Sequence, residues 1–349
     1  MSLPEHHLDD PVPAHRGDPP SEQRAMARAA AVVDRSHRGI IAVSGEERLS
    51  WLHLLLTQHV SALPDGAATE ALVLDGQGRV LHHMGVAHVD GAVYLDVEAG
   101  ETAELLDYLK KMVFWSKAEP RDATAELALL SVVGPDTAAV LTAAGAPVPD
   151  GAAALDGGGY VRRTRRPGKD AADVVVPRAA LTTWWERLTA AGARPAGTMA
   201  YEALRVEALL PRNGLDTDDR TIPHEVGWIA AAVHLSKGCY RGQETVAHVS
   251  NMGKAPRRMV LLYLDAGDEQ LPAAGEPLTM EGRVVGRVGT VVQHHELGPV
   301  ALALVKRSVP VEAELVAGAD TPARIDPGSV PSDEPEAPGR AARERLRHR

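Results

Sequence analysis

Lys237-Gly238-Cys239-Tyr240-Arg241-Gly242-Gln243-Glu244 is the stretch on which the reading of this chain turns. It holds the single cysteine of the 349 residues, with Gly238 before it, Gly242 after it, and a cation two places away on each side. A free thiol titrates near 8.5, so about 3% is thiolate at neutral pH; a fall of about two units would ionise most of it. Lys237 and Arg241 supply such a fall if both converge on the sulfur. Gly238 and Gly242 open backbone conformations and close approaches that a side chain would block. Gln243 adds a two-way hydrogen-bonding amide and Glu244 a carboxylate. The alternative is an inert, buried thiol in a charged loop.

Around this octad, composition narrows the classes. A chain of 349 residues exceeds one compact core and implies two or three domains. Its 44% hydrophobic and 24% charged residues are ordinary for a globular protein. A net charge of −10 argues against nucleic acid and anionic membranes as general partners. No apolar run approaches the ~20 residues that span a bilayer. Met1 to Pro20 lacks the basic-then-apolar pattern of an export signal. One cysteine excludes an intramolecular disulfide framework and a four-cysteine zinc or cluster site within one chain, and no metal site is expected. The expectation is a cytoplasmic monomer.

Residues 1–24 are rich in proline, histidine and acid without an apolar period, and read as a disordered tail. Ser44-Gly45-Glu46-Glu47 has the spacing of a capping box and would open a helix carrying Leu49, Leu52, Leu55 and Leu56 on one face. Two strands, 69–74 and 79–89, are joined by the turn Asp75-Gly76-Gln77-Gly78; a third spans 92–97 and a helix runs from Glu101 to about Val113. The run Arg162, Arg163, Arg165, Arg166 reads as a solvated loop face or as a contact for a polyanionic ligand tail. A helix from Met199 to Leu210 is stopped by Pro211, and on it Glu207 shares a face with Ala203, Leu204 and Leu210. A carboxylate at the edge of an apolar stripe is costly unless something bonds to it. That partner is either a neighbouring arginine or a ligand with paired N–H donors, such as a pterin ring. After Lys254, short valine- and leucine-rich runs between Gly and Pro predict a small all-β domain.

The octad resembles the K-G-C-Y-x-G-Q-E signature of the YgfZ family. Those are folate-binding proteins that assist iron–sulfur cluster assembly, relatives of the aminomethyltransferase (T-protein) of the glycine cleavage system. The segment from Asp34-Arg35-Ser36 through Val43-Ser44-Gly45 to Trp51-Leu52 resembles the start of their amino-terminal domain. Arg205-Val206-Glu207, with Gly214-Leu215-Asp216, Thr221, Pro223 and Glu225, resembles their downstream pattern.

The resemblance implies an α+β fold. Two mixed α/β lobes of the aminomethyltransferase-like folate-binding kind would occupy residues 25–252 (about 25–125 and 126–252, free to interleave). A small C-terminal β-barrel would follow over 253–320, then a disordered tail over 321–349. It also implies tetrahydrofolate, or a one-carbon derivative, as the cofactor. Glu207 would read the pterin, with Arg205, Lys237, Tyr240, Arg241, Gln243 and Glu244 around the ligand and Cys239 as the reactive residue. Transient iron–sulfur client or assembly proteins would be the partners. One cysteine cannot store a cluster that normally takes four thiolates, so brief contact or thiol exchange is implied.

Two departures matter. Where T-proteins carry G-G-I-x-D-D, this chain has Gly78-Arg79-Val80-Leu81-His82-His83. Imidazoles lack the fixed anion that would stabilise an iminium-like intermediate, which favours an accessory binding protein over an enzyme. The alternative is a folate-dependent aminomethyl or one-carbon transferase. Ala247-His248 also stands where the family continues Ala-Arg.

Overall fold

A computed structural model describes residues 12–168, 170–266 and 270–331. Pro19 and Pro20 begin helix α1 (Pro19–Arg28), since the first-turn N–H groups have no helical partner to lose. The tail expected over residues 1–24 is therefore ordered in its second half; residues 1–11 lie outside those described. The polar residues that read as tail are docking contacts. Glu22 accepts the backbone N–H of Gly197 at 2.8 Å, and Gln23 donates to the carbonyl of Gln293 at 2.9 Å.

Strand β1 (Ala31–Asp34) follows, then β2 (Gly39–Ser44), α2 (Arg48–Leu55), β3 (Ala67–Leu74), β4 (Val80–Val89), β5 (Ala92–Val97), α3 (Thr102–Lys111) and β6 (Glu119–Asp122). The second lobe contains β7 (Leu127–Val133), α4 (Thr137–Ala143), β8 (Ala152–Ala154), β9 (Tyr160–Thr164), β10 (Ala171–Pro177), α5 (Leu181–Ala190) and β11 (Arg194–Ala196). The capping box does not form: Ser44 stays in β2 opposite Glu119, and Glu47 instead accepts the backbone N–H of Lys117 at 2.7 Å.

The first sheet has the order β3-β4-β5-β2-β6 and the second β11-β1-β7-β10-β9-β8. The lobes interleave, because β1 leaves its sequence neighbours to pair with β7 and β11. Alternation along the strands explains the layering. Ile41, Val43, Val86 and Leu95 bury against Leu52 of α2 and Leu105 and Leu109 of α3. Val174 and Val176 bury against α4 and α5 through Val140, Leu141, Trp184 and Leu188. The opposite faces meet each other, with Ile40 and Ala87 of one sheet packed on Leu129, Tyr160 and Val175 of the other. The result is helix on sheet on sheet on helix.

The connection to the last domain runs through α6 (Thr198–Glu207), α7 (Trp228–Ala232) and α8 (Gln243–Met252). Gly242 precedes α8 with φ +81°, and a Cβ there would lie 2.6 Å from the Asp75 carbonyl and 2.8 Å from Gly78 Cα. The octad thus docks on the β3–β4 turn at a contact only glycine allows. Gly238 faces open space, and its lack of a side chain has no such role.

The remaining strands are β12 (Arg257–Leu264), β13 (Pro277–Met280), β14 (Arg283–His294), β15 (Gly298–Lys306), β16 (Leu315–Ala317) and β17 (Thr321–Ile325). They close a barrel in the order β12-β15-β14-β13-β16-β17. The barrel runs past residue 320 because Thr321, Ala323 and Ile325 point inward alternately and β17 closes onto β12. Residues 332–349 lie outside those described.

Arg205 joins α6 to this barrel. It donates to Glu202 at 3.0 Å, to Asp216 at 2.9 Å and to Thr290 of β14 at 2.6 Å, fully buried. Replacing it with methionine removes the cation hydrogen-bonded to both Asp216 and Glu202, leaving Glu202 with the Arg212 guanidinium at 3.5 Å. Arg205→Met should lower unfolding stability by about 3–5 kcal/mol in a urea titration; a loss under 1 kcal/mol would refute the linking role.

Candidate functional site

Between the sheets and α6 lies a cavity of about 480 Å³. It stays open because arginines and acids, rather than apolar side chains, occupy the inward positions at this end of both sheets. Arg38 donates to Asp96 at 3.0 Å and to Glu98 at 2.7 Å. Arg212 takes the other oxygen of Glu98 at 2.7 Å. Arg162 grips Asp173 at 2.7 Å and also contacts Asp96. Gly85 is part of this arrangement, since a Cβ on it would overlap both Arg162 and Asp96. Burial alone would raise Asp96 and Glu98, but the arginines more than offset it, and both are held well below the usual carboxylate range.

At the other side of the cavity His83 Nε2 lies 2.7 Å from Glu70 Oε2, and the Arg166 guanidinium is 3.6 Å from the same oxygen. The His83 ring stacks on Trp228 with centroids 4.6 Å apart and planes 7° apart. Burial raises Glu70, but Arg166 and the His83 hydrogen bond outweigh it and keep the carboxylate ionised. Burial and Arg166 push His83 below the ordinary histidine value, with Glu70 opposing, so the imidazole is neutral at pH 7. Tyr201 lies under the Arg35 guanidinium, 4.2 Å from ring centroid to carbon, and its buried hydroxyl has no partner among the described residues.

Among the described residues, then, some cavity groups are saturated and others keep capacity. Arg38, Asp96, Arg162, Asp173, Glu202 and Arg205 are spent on one another. Glu70 Oε1, His83 Nδ1, the Tyr201 hydroxyl and the exposed Arg165 make no protein hydrogen bond. A field-setting frame with a few unspent groups is what a ligand site requires.

The residues singled out from sequence are divided by the structure. Arg205 lines the cavity, but its donors are consumed. Glu207 is half-exposed outside the cavity, with His294 Nε2 of β14 at 3.4 Å. The cavity-facing glutamate of α6 is Glu202, five residues earlier and so about 140° away around the helix. In the octad, Lys237 is buried and caps α2, donating to the carbonyls of His53, Leu56 (2.5 Å) and Gln58 (3.4 Å). Burial pushes its ammonium down to about 8, with the Cys239 sulfur opposing. Tyr240 is buried beneath it, 5.2 Å from Nζ, and Gln243 donates to the Lys237 carbonyl at 3.2 Å. Cys239, Arg241 and Glu244 are exposed, Arg241 beside Tyr108 of α3. No octad residue lines the cavity. The two cations do not converge: Lys237 is committed to α2, and Arg241 points to α3.

The basic run splits too. Arg162 is buried, Arg166 donates to the Pro211 carbonyl at 2.9 Å, and Arg163 and Arg165 reach solvent at the cavity wall. Glu70, Asp96 and Glu202 were not evident from sequence. The one signal was a lone acid inside a strand pattern, which is costly unless paired. Among the described residues no group of three His, Cys, Asp or Glu is placed to hold a metal ion, and no helix is long and apolar enough to cross a membrane.

Residues 18–154 match the GCVT N-terminal domain family. Over 230 residues the chain is 30% identical to an aminomethyltransferase of Methylococcus capsulatus, covering 63% of each, so it spans less than two thirds of that relative. It is 27% identical over 308 residues to an aminomethyltransferase of Streptomyces avermitilis, covering 84% of this chain and 83% of the relative. The crystal structure of glycine cleavage system aminomethyltransferase T from Bartonella henselae is similar in fold. Its TM-score is 0.79 at 22% identity, with 90% of each chain covered. The chain is GCVT-like in its amino-terminal domain and in its fold.

Two outcomes follow from the geometry. Asp96, Glu98 and Glu70 titrate lower folded than unfolded, so their contribution is full above the unfolded values of 3.8 and 4.5 and is lost as pH falls through and below that range. The urea midpoint should therefore be level above about pH 5, start to fall near pH ~4.5 and keep falling to about pH 2, and do so less steeply in Asp96→Asn. Exposed Cys239 should titrate as one thiol per native chain with an aromatic disulfide reagent; reaction only after denaturation would contradict the exposure.

Proposed function

We propose that this GCVT-like chain holds a reduced folate in the central cavity and takes part in one-carbon transfer of the aminomethyl type. One observation carries the reading: a cavity of ligand size keeps unspent groups beside an ionised carboxylate. The balanced reaction is X–CH2–NH2 plus tetrahydrofolate giving XH, ammonia and the methylene folate, with no change of oxidation state. The transferred carbon becomes iminium-like as it leaves X, and a fixed anion in a water-poor site stabilises it.

The histidine pair appeared to remove that anion from the site. Glu70 supplies one from the neighbouring strand, held ionised by Arg166. The Tyr201 hydroxyl and Arg166 Nε, both buried without partners among the described residues, are offered to the polar edge of the pterin. Arg165 and Arg163 at the wall suit the carboxylates of the folate tail. Support comes also from the aminomethyltransferases the chain resembles.

A second reading, an accessory role toward iron–sulfur enzymes in the cytoplasm, is favoured by the exposed thiol on its bonded surface turn. Contact with a client or assembly protein would be transient, since a single thiolate cannot retain a cluster. Cys239→Ala in cells lacking the native protein should lower iron–sulfur enzyme activity under this reading. Unchanged activity removes it without touching the cavity.

Calorimetric titration with tetrahydrofolate should give one saturable site per chain. Arg165→Ala should weaken a pentaglutamate folate more than a monoglutamate, by about 3- to 10-fold at low salt, the difference shrinking at high ionic strength. Absence of saturable binding up to millimolar folate would defeat the main reading.

A further inference from the structure

His83 and Glu70 lie on adjacent strands, β4 and β3, in diagonal register: His83 is opposite Leu72 and Glu70 is opposite Gly85. Both side chains therefore stand on the same sheet face, close enough for the 2.7 Å contact. With Glu70 ionised, the hydrogen of that contact belongs to His83 Nε2, and the lone pair of the neutral ring is left on Nδ1. Nδ1 has no protein hydrogen-bond partner among the described residues, and His83 lines the cavity. The ring cannot swing, because it lies flat on Trp228. Several other histidines also leave a ring nitrogen without a partner among the described residues, but His83 does so at the cavity, with its other nitrogen anchored on an ionised carboxylate.

We propose that Glu70 and His83 form a proton-relay pair, in which His83 Nδ1 takes the proton of the folate amine as that nitrogen bonds to the incoming carbon. As the folate nitrogen bonds to carbon, the C–X bond breaks with its electron pair on X. The N–H pair stays on that nitrogen, its proton moves to Nδ1, and the imidazolium passes it to the –NH2 group, which leaves with its C–N pair as neutral ammonia. The second folate N–H closes the methylene bridge, and its proton goes to X, giving XH. Glu70 fixes the tautomer and balances the transient imidazolium. This rests on the folate reading given above. The charged groups that bear on the ring are Glu70 from β3, Arg166 from the segment after β9 and Arg38 from β2. The two arginines favour the neutral base, and Glu70 favours the protonated form.

The test is the pH dependence of tetrahydrofolate affinity in the full chain, measured by titration for wild type, His83→Gln and Glu70→Gln. Wild-type affinity should be level above pH 7 and fall as His83 protonates below the ordinary histidine range, by about tenfold per pH unit at the limit. His83→Gln should lose this acid limb. Glu70→Gln should move it to lower pH, because the carboxylate raises the imidazole's affinity for protons. Where transfer is followed with a carbon-13 aminomethyl donor, His83→Gln should be slower by about 10²- to 10⁴-fold. No saturable binding at any pH would sink the folate reading. Binding with a level wild-type profile, or with the same limb in His83→Gln, would sink the relay alone.

Discussion

The bracketing of the cavity's buried carboxylates by arginines is the constraint from which the molecule takes its form. Moving an ion from water into a protein interior costs several kcal/mol, and removing one partner of a buried pair typically costs 3–5 kcal/mol. Asp96 sits between Arg38 and Arg162, Glu98 between Arg38 and Arg212, and Glu202 is gripped by Arg205. These pairs join the first sheet, the second sheet, α6 and the barrel at one place. An apolar filling of the same volume would stabilise as well or better, but it would close the space between the sheets. The charged frame is therefore best understood as what keeps a cavity open and sets its field.

The chain's interleaving reinforces this. β1 belongs to the second sheet and β2 to the first, so the chain crosses between the lobes over the few residues from Arg35 to Arg38, and crosses back between β6 and β7. Both ends of that crossing are tied down: Arg35 donates to Ser131 at 3.1 Å, and Arg38 binds Asp96 and Glu98. A rigid crossing of this kind resists a hinge between the lobes. The unspent groups of the cavity are then held at fixed distances, which is the condition under which a small number of polar side chains can orient a ligand.

Much of the layout was legible in the sequence because it rests on period and punctuation. The strands on either side of Asp75-Gly76-Gln77-Gly78 and the barrel after Lys254 follow from alternation and turn residues. What was misread depended on partners far away in sequence. Proline-rich residues near α1 resembled a tail because the partners of Glu22 and Gln23 lie about 175 and 270 residues downstream. Thr321-Pro322-Ala323-Arg324-Ile325 has a perfect period of two, too short to stand out until β12 was there to receive it. Along α6 the apolar stripe drew attention to Glu207, yet the glutamate turned inward is Glu202, which only its arginines make tolerable. His82-His83 looked like the loss of an acid; the acid is Glu70, on a strand whose register no local pattern discloses.

The separation of the octad from the cavity also constrains any account of both. Lys237 and Gln243 bind the turn to itself and to the end of α2, and Gly242 seats it on Asp75 and Gly78. The same β3–β4 hairpin carries Glu70 and His83 midway along its ladder. A turn built this way serves to fix the hairpin and to present Cys239 outward at the same time, so that residues grouped by sequence answer to two different demands. Lys237, Gln243 and Gly242 are accounted for by these contacts, whether or not the thiol reacts. The sulfur itself has no structural duty, since a side chain exposed to water contributes little to the fold. Chemistry at the thiol and chemistry in the cavity therefore use different atoms, and neither has to compromise the geometry of the other.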